Sequence, residues 1–111
     1  TSAGGRKNWE NYGAVSMAKS AIESATRQLS LELAQHEIAV NSIQAGVTDT
    51  SALRKIPGSD LMIKNAKANN PHNRLTQTSD ISEFLAILTN YESSWLTGNI
   101  IRLDGGEDIT S

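Results

Sequence analysis

The sequence predicts an α/β fold with parallel strands, and three observations carry that expectation. Residues 11–33 hold the period of a long amphipathic helix, a short link joins them to the β-branched run 38–43, and a second helix and strand pattern closes the chain at 103. A helix followed by a short link and a strand is half of a crossover unit, the connection that parallel strands require.

Taken in order, Thr1–Gly5 (TSAGG) is small and flexible and reads as the carboxyl end of a strand, with 6–10 a loop. Asn11 is a plausible N-cap for the helix 11–33. Val15, Ala18, Ile22, Ala25, Leu29 and Leu33 recur in steps of three and four and define its expected buried stripe, leaving Glu23, Arg27 and Gln28 to other faces. Tyr12 and Lys19 also share a face, about 20° apart in direction and about 10 Å apart along the axis, with Ser16 between them. A phenol beside a long ammonium suits proton delivery, although many helices carry such a pair only for solubility.

Ile38–Ile43 fits a strand ended by the turn-like Gln44-Ala45-Gly46. Residues 47–56 are polar, with hydroxyls at Thr48, Thr50 and Ser51, and Pro57-Gly58 interrupts the chain. Ligands of open α/β sheets sit at the carboxyl ends of strands, so this turn is either a ligand contact or an ordinary strand-to-helix connection. Leu61, Met62, Ile63 and Ala66 mark a second helix over 60–68, and 69–77 form a proline-containing loop. Thr78 or Ser79 caps a third helix through about Leu88, bearing Ile81, Phe84, Leu85 and Leu88. After a turn at 94–98, Asn99–Leu103 is a strand ended by Asp104-Gly105-Gly106.

The composition narrows the chemistry. With 111 residues the chain can bury one small core. Ten basic against twelve acidic residues give a net charge of −2, which disfavours nucleic acid and anionic membranes as partners. The absence of cysteine removes disulfides and thiol catalysis, and two histidines, His36 and His72, far apart in sequence, give a metal site little support. No apolar run approaches the roughly 20 residues that span a bilayer, so a soluble cytoplasmic protein is the expectation.

Three stretches in order resemble the carboxyl-terminal half of the short-chain dehydrogenase/reductase superfamily. They are the Tyr/Lys helix running into LELAQHEIAVNSIQAG, the helix opening Thr78-Ser79-Asp80-Ile81, and the last strand Leu96-Thr97-Gly98-Asn99-Ile100-Ile101-Arg102-Leu103-Asp104-Gly105-Gly106. The resemblance implies the second half of a Rossmann-like, doubly wound parallel sheet, with residues 1–111 forming the carboxyl-terminal part of one dinucleotide-binding domain. Most of the superfamily spaces its pair Tyr-x3-Lys, which would put tyrosine at Val15. Here Tyr12-x6-Lys19, the Asn11-Tyr12 pair and Ala45-Gly46 resemble the divergent enoyl-acyl-carrier-protein reductases of fatty-acid synthesis.

That branch implies NADH or NADPH as cofactor and an acyl thioester, on acyl carrier protein or coenzyme A, as substrate. Tyr12 and Lys19 would be catalytic, with Lys19 also on the cofactor ribose. Ala45, Gly46, Val47 and Thr50 would approach the nicotinamide, and Ser2 would flank the substrate beside Tyr12. Segment 51–70 matches a mobile substrate-binding loop and helix. Relatives commonly pair through the long helix, so a homotetramer is implied.

Two departures qualify the match. Glu37 occupies a turn position where many relatives carry glycine. No G-x-G-x-x-G occurs, so the phosphate-binding half of the dinucleotide site is missing, and the 111 residues alone are not expected to reduce enoyl substrates. Alternatives are a carbonyl or alcohol dehydrogenase of the same superfamily, such as a 3-oxoacyl reductase, and a scaffold that has lost activity. Ser16-Met17-Ala18-Lys19 also reads Ser-x-x-Lys, but the Ser-Asp-Asn and Lys-Thr-Gly elements of penicillin-interacting acyl-enzymes are missing.

Overall fold

The computed structural model describes residues 1–110, which group into two compact units: Thr1–Gln44 with Tyr91–Arg102, and Ala45–Asn90 with residues 103–110. Helix α1 (Gly13–Leu33) precedes strand β1 (Ser42–Ala45), and helices α2 (Ser51–Arg54), α3 (Ser59–Asn69) and α4 (Thr78–Thr89) separate β1 from strand β2 (Ile100–Leu103). The strands pair in parallel as a two-stranded sheet, so the α/β class and the Rossmann-like half-sheet hold. Among the described residues no helix is long and apolar enough to cross a membrane.

In the first unit α1 begins one residue later than its sequence signal. Tyr12, not Asn11, is the N-cap, and it supplies no side-chain cap bond. Asn11 instead takes the left-handed conformation (φ 63°), which its short amide side chain tolerates better than most. Thr1–Gly5 does not end as a strand. The Thr1 backbone nitrogen donates to the Ile43 carbonyl at 2.8 Å, and Ala3–Gly5 then tighten into a 3-10 turn.

The expected buried stripe of α1 is a correction. Val15, Ile22 and Leu29 are each more than 40% exposed, Ala18 and Ala25 are exposed, and only Leu33 is half-buried. The covered face is polar: Glu23 and Thr26 are buried, with Tyr12, Ser16, Lys19 and Ser30 half-buried along the same line. Those positions also step by four and three, so helical periodicity admits both stripes, and the short hydroxyl residues are the ones that let the backbone approach the strand. The Thr26 and Ser42 hydroxyls meet at 2.5 Å, tying α1 to β1.

β1 starts at Ser42, later than the β-branched run suggests, where Ser42 N–H donates to the Asn99 carbonyl. Ahead of it a single backbone bond, Gly98 N–H to the Val40 carbonyl at 2.7 Å, is supplemented by side chains: Val40 N–H donates to Thr97 Oγ1, and the Asn41 amide bridges the Leu96 carbonyl and Asn99 N–H. Glu37 adopts the left-handed conformation (φ 56°) that glycine would take without strain.

The second unit holds the apolar core, Leu53, Ala66 and Leu75, with Val47 and Ile63 packed on it. Thr50 opens α2 by accepting from Leu53 N–H at 3.2 Å, so the polar segment after β1 is a short helix. α4 is capped by Gln77, not Thr78 or Ser79, through a reciprocal capping box with Asp80. Asp80 also takes a two-pronged ion pair from Arg74 at 2.6 and 2.9 Å, and these bonds, Arg74 first and Gln77 N–H second, pull its pKa down to about 2. A depressed carboxylate stabilises the fold above its unfolded pKa and loses that contribution as pH falls through the folded value. The melting difference between wild type and Asp80→Asn is therefore expected to be present at about pH 5 and to shrink between about pH 4 and 2. Thermal melts across that range check it.

Candidate functional site

The residues that sequence reasoning singled out fall in both units. Tyr12, Lys19 and Ser2 belong to the first, and Ala45, Gly46, Val47 and Thr50 to the second.

Tyr12 stands at the mouth of α1. Its ring lies edge-on to Trp9, with centroids 5.4 Å apart at 81°, and packs against the backbone of Gly4. A Cβ built on Gly4 would come within 3.3 Å of Tyr12 ring carbons, so only glycine admits this ring position. Gly4→Ala is accordingly expected to displace the phenol, the overpacking costing the fold about 1–3 kcal/mol. Melting curves would check this, and an unchanged melting temperature would contradict it.

Among the described residues neither the Tyr12 phenol nor the Lys19 ammonium has a hydrogen-bond or ion-pair partner, although both are half-buried. Half-buried donors without partners are what a ligand site requires, because intramolecular bonds would have to break before a ligand could use them. Ser2 Oγ is buried and equally without a partner. The Thr1–Gly5 turn that carries Ser2 also packs on the Tyr12 ring, through Gly4.

Sequence reasoning missed what anchors this turn. Glu23, placed on an outer face, is 6% exposed and accepts from Thr1 Oγ1 at 2.9 Å. Ser20 Oγ donates to the Gly5 carbonyl, and Arg6 donates to the Gln44 amide oxygen at 3.0 Å, with Gln44 1% exposed. The signal was available: Tyr12, Ser16, Lys19, Glu23, Thr26 and Ser30 repeat in the same phase as the Tyr/Lys pair.

In the second unit Ala45 ends β1 and Gly46 follows it. A Cβ on Gly46 would meet Glu107 Oε2 and Thr76 Oγ1 at 2.7 Å, so this glycine is required by its own packing. Val47 N–H donates to the Glu107 carboxylate, at 3.1 Å to Oε2, and the Thr50 hydroxyl caps α2. A polar cavity of about 230 Å³ in this unit is lined by Asn70, His72, Arg74, Asp80, Glu83 and Asp104, none of them a predicted site residue. Its groups are largely spent internally: Asn70 donates to the Asp104 carbonyl, and the Asp104 carboxylate accepts from Gly106 and Asp108 N–H. Among the described residues no cluster of His, Asp or Glu could hold a metal ion.

A family model described as enoyl-(acyl carrier protein) reductase matches residues 1–108. The enoyl-(acyl-carrier-protein) reductase (NADH) of Synechocystis is 34% identical over 106 residues, which cover 96% of this chain and 41% of the relative. Among solved structures, the Bacillus cereus enoyl-acyl carrier protein reductase with NADP+ and indole naphthyridinone superposes with TM-score 0.90 at 26% identity, covering 100% of this chain and 43% of that one. The angucycline C-6 ketoreductase LanV with bound NADP gives TM-score 0.82 at 26% identity, covering 98% and 42%. The chain thus spans about two fifths of the length of the curated relatives it matches.

Proposed function

This chain belongs to the enoyl-(acyl carrier protein) reductase family within the short-chain dehydrogenases/reductases, and on that premise we propose that it supplies the proton-donating half of an NAD(P)H-dependent enoyl thioester reductase. The observation that carries the reading is a half-buried phenol at the mouth of α1 and, seven residues on, a half-buried ammonium within it, neither with a partner among the described residues. The free ammonium fits a nicotinamide dinucleotide, whose ribose hydroxyls are acceptors that a lysine reaches with its three N–H donors. When bound, the nicotinamide supplies hydride to the β-carbon of the enoyl thioester.

The chain's own residues do the rest. Tyr12 donates a hydrogen bond to the thioester carbonyl oxygen, stabilises the negative charge that develops there and passes its proton on. Lys19 holds the cofactor ribose and keeps positive charge near that oxygen. Compared with a Tyr-x3-Lys pair, the phenol sits about one turn further out, which suits a carbonyl conjugated to the C=C bond being reduced. Ser2 flanks the substrate. The turn Ala45-Gly46-Val47 and Thr50 line the nicotinamide, with Gly46 and Thr50 acting through the turn they shape. The acyl group arrives on acyl carrier protein or coenzyme A, and the exposed Val15, Ile22 and Leu29 stripe is the face that a second copy covers in a homotetramer.

The test is cofactor oxidation by the complete protein carrying this chain, with a crotonyl thioester against an acetoacetyl thioester. Consumption of NADH or NADPH with the crotonyl thioester supports the reading. Consumption only with the acetoacetyl thioester makes the protein a 3-oxoacyl reductase, and consumption with neither points to a scaffold. Sedimentation as a monomer would contradict the tetramer.

A further inference from the structure

Glu23 is a buried carboxylate that the proposed chemistry does not use. It is 6% exposed, and its one hydrogen bond comes from a neutral hydroxyl, Thr1 Oγ1. A buried anion needs a compensating cation, since charge removed from water is costly unless it is paired. Lys19 lies one helical turn before it on the same face of α1. Glu23 and Lys19 do not close into a direct ion pair, which leaves the lysine donors available. The carboxylate also abuts Gly5: a Cβ there would meet Glu23 Oε1 at 2.4 Å, so the turn carrying Ser2 is seated on this side chain.

We propose that Glu23 is a positioning residue for Lys19, its carboxylate drawing the ammonium along the face shared with Tyr12 and seating the Thr1–Gly5 turn that flanks it. The inference rests on the reading of Lys19 as the cofactor-holding group. Glu23 touches neither cofactor nor substrate. Its influence is electrostatic and runs through Lys19, where partial burial weakens screening by water.

The experiment measures NADH and NADPH affinity directly, by fluorescence of the reduced cofactor, in the complete protein and in Glu23→Gln, Glu23→Asp, Lys19→Met and Glu23→Gln/Lys19→Met. Glutamine keeps the shape and accepts from Thr1 but carries no charge. Glu23→Gln is expected to melt within a few degrees of wild type, to weaken cofactor binding about tenfold and to raise the cofactor KM while leaving the thioester KM unchanged. Glu23→Asp should restore part of the loss, and Glu23→Gln should add nothing to Lys19→Met, the signature of two residues acting as one unit. Wild-type affinity in Glu23→Gln, or a loss that adds fully to that of Lys19→Met, would overturn the proposal. Binding needs no thioester, so the proposal survives if the protein binds cofactor but reduces neither test substrate. A wild-type protein that binds neither NADH nor NADPH would overturn both readings together.

Discussion

Tyr12→Phe is expected to lower kcat for an enoyl thioester by about 10²- to 10³-fold, the range seen when one donor to a developing oxyanion is removed. The substitution deletes one oxygen that has no hydrogen-bond partner among the described residues, and it keeps the ring that packs on Gly4 and Trp9. Stability should therefore hold, and cofactor affinity should stay near wild type because the ammonium of Lys19 is untouched. A hydrogen bond made mainly in the transition state lowers kcat and kcat/KM together, so both should fall with little change in the thioester KM. Steady-state kinetics with a melting curve decide this. A variant retaining full turnover would mean that another group handles the proton and that the seven-residue spacing is incidental.

Lys19→Met is expected to act on the other substrate. Methionine preserves an unbranched apolar stem but removes three donors and the charge, and hydrogen bonds to charged groups are worth about 1.5–3 kcal/mol, so cofactor affinity should fall about 10- to 100-fold. Turnover at saturating cofactor should fall as well, since positive charge near the carbonyl oxygen is lost. Among the described residues the ammonium has no ion pair to break, so the variant should melt close to wild type. A large stability loss with unchanged cofactor affinity would assign Lys19 to the fold instead. Taken together, the two substitutions separate the roles: loss at Tyr12 shows in kcat, loss at Lys19 shows first in the cofactor KM.

Neither substitution tests the turn that frames the pair, and that turn was the least legible part of the chain. Thr1–Gly5 has a composition that suits a strand end, yet Gly4 and Gly5 are demanded by a tyrosine ring and a glutamate carboxylate that approach them from α1. No local pattern encodes such a contact. The same holds at Gly46, where the need for glycine comes from Thr76 and Glu107, thirty and sixty-one residues further along.

The sequence by itself determined the class and order of the elements, because periods of 3.6 and 2 are local and survive without knowledge of the partner surface. It located α3, α4 and β2 to within a residue or two. Tertiary structure decided which face of α1 turns inward. Two stripes of equal period compete along that helix, and hydrophobicity favours Val15, Ile22 and Leu29. The partners this chain provides are instead a strand hydroxyl at Ser42 and the glycine turn, which only short or hydrogen-bonding side chains can meet. Tertiary structure likewise set the start of β1, because a strand begins where its neighbour begins to pair, and the neighbour's register is written more than fifty residues away.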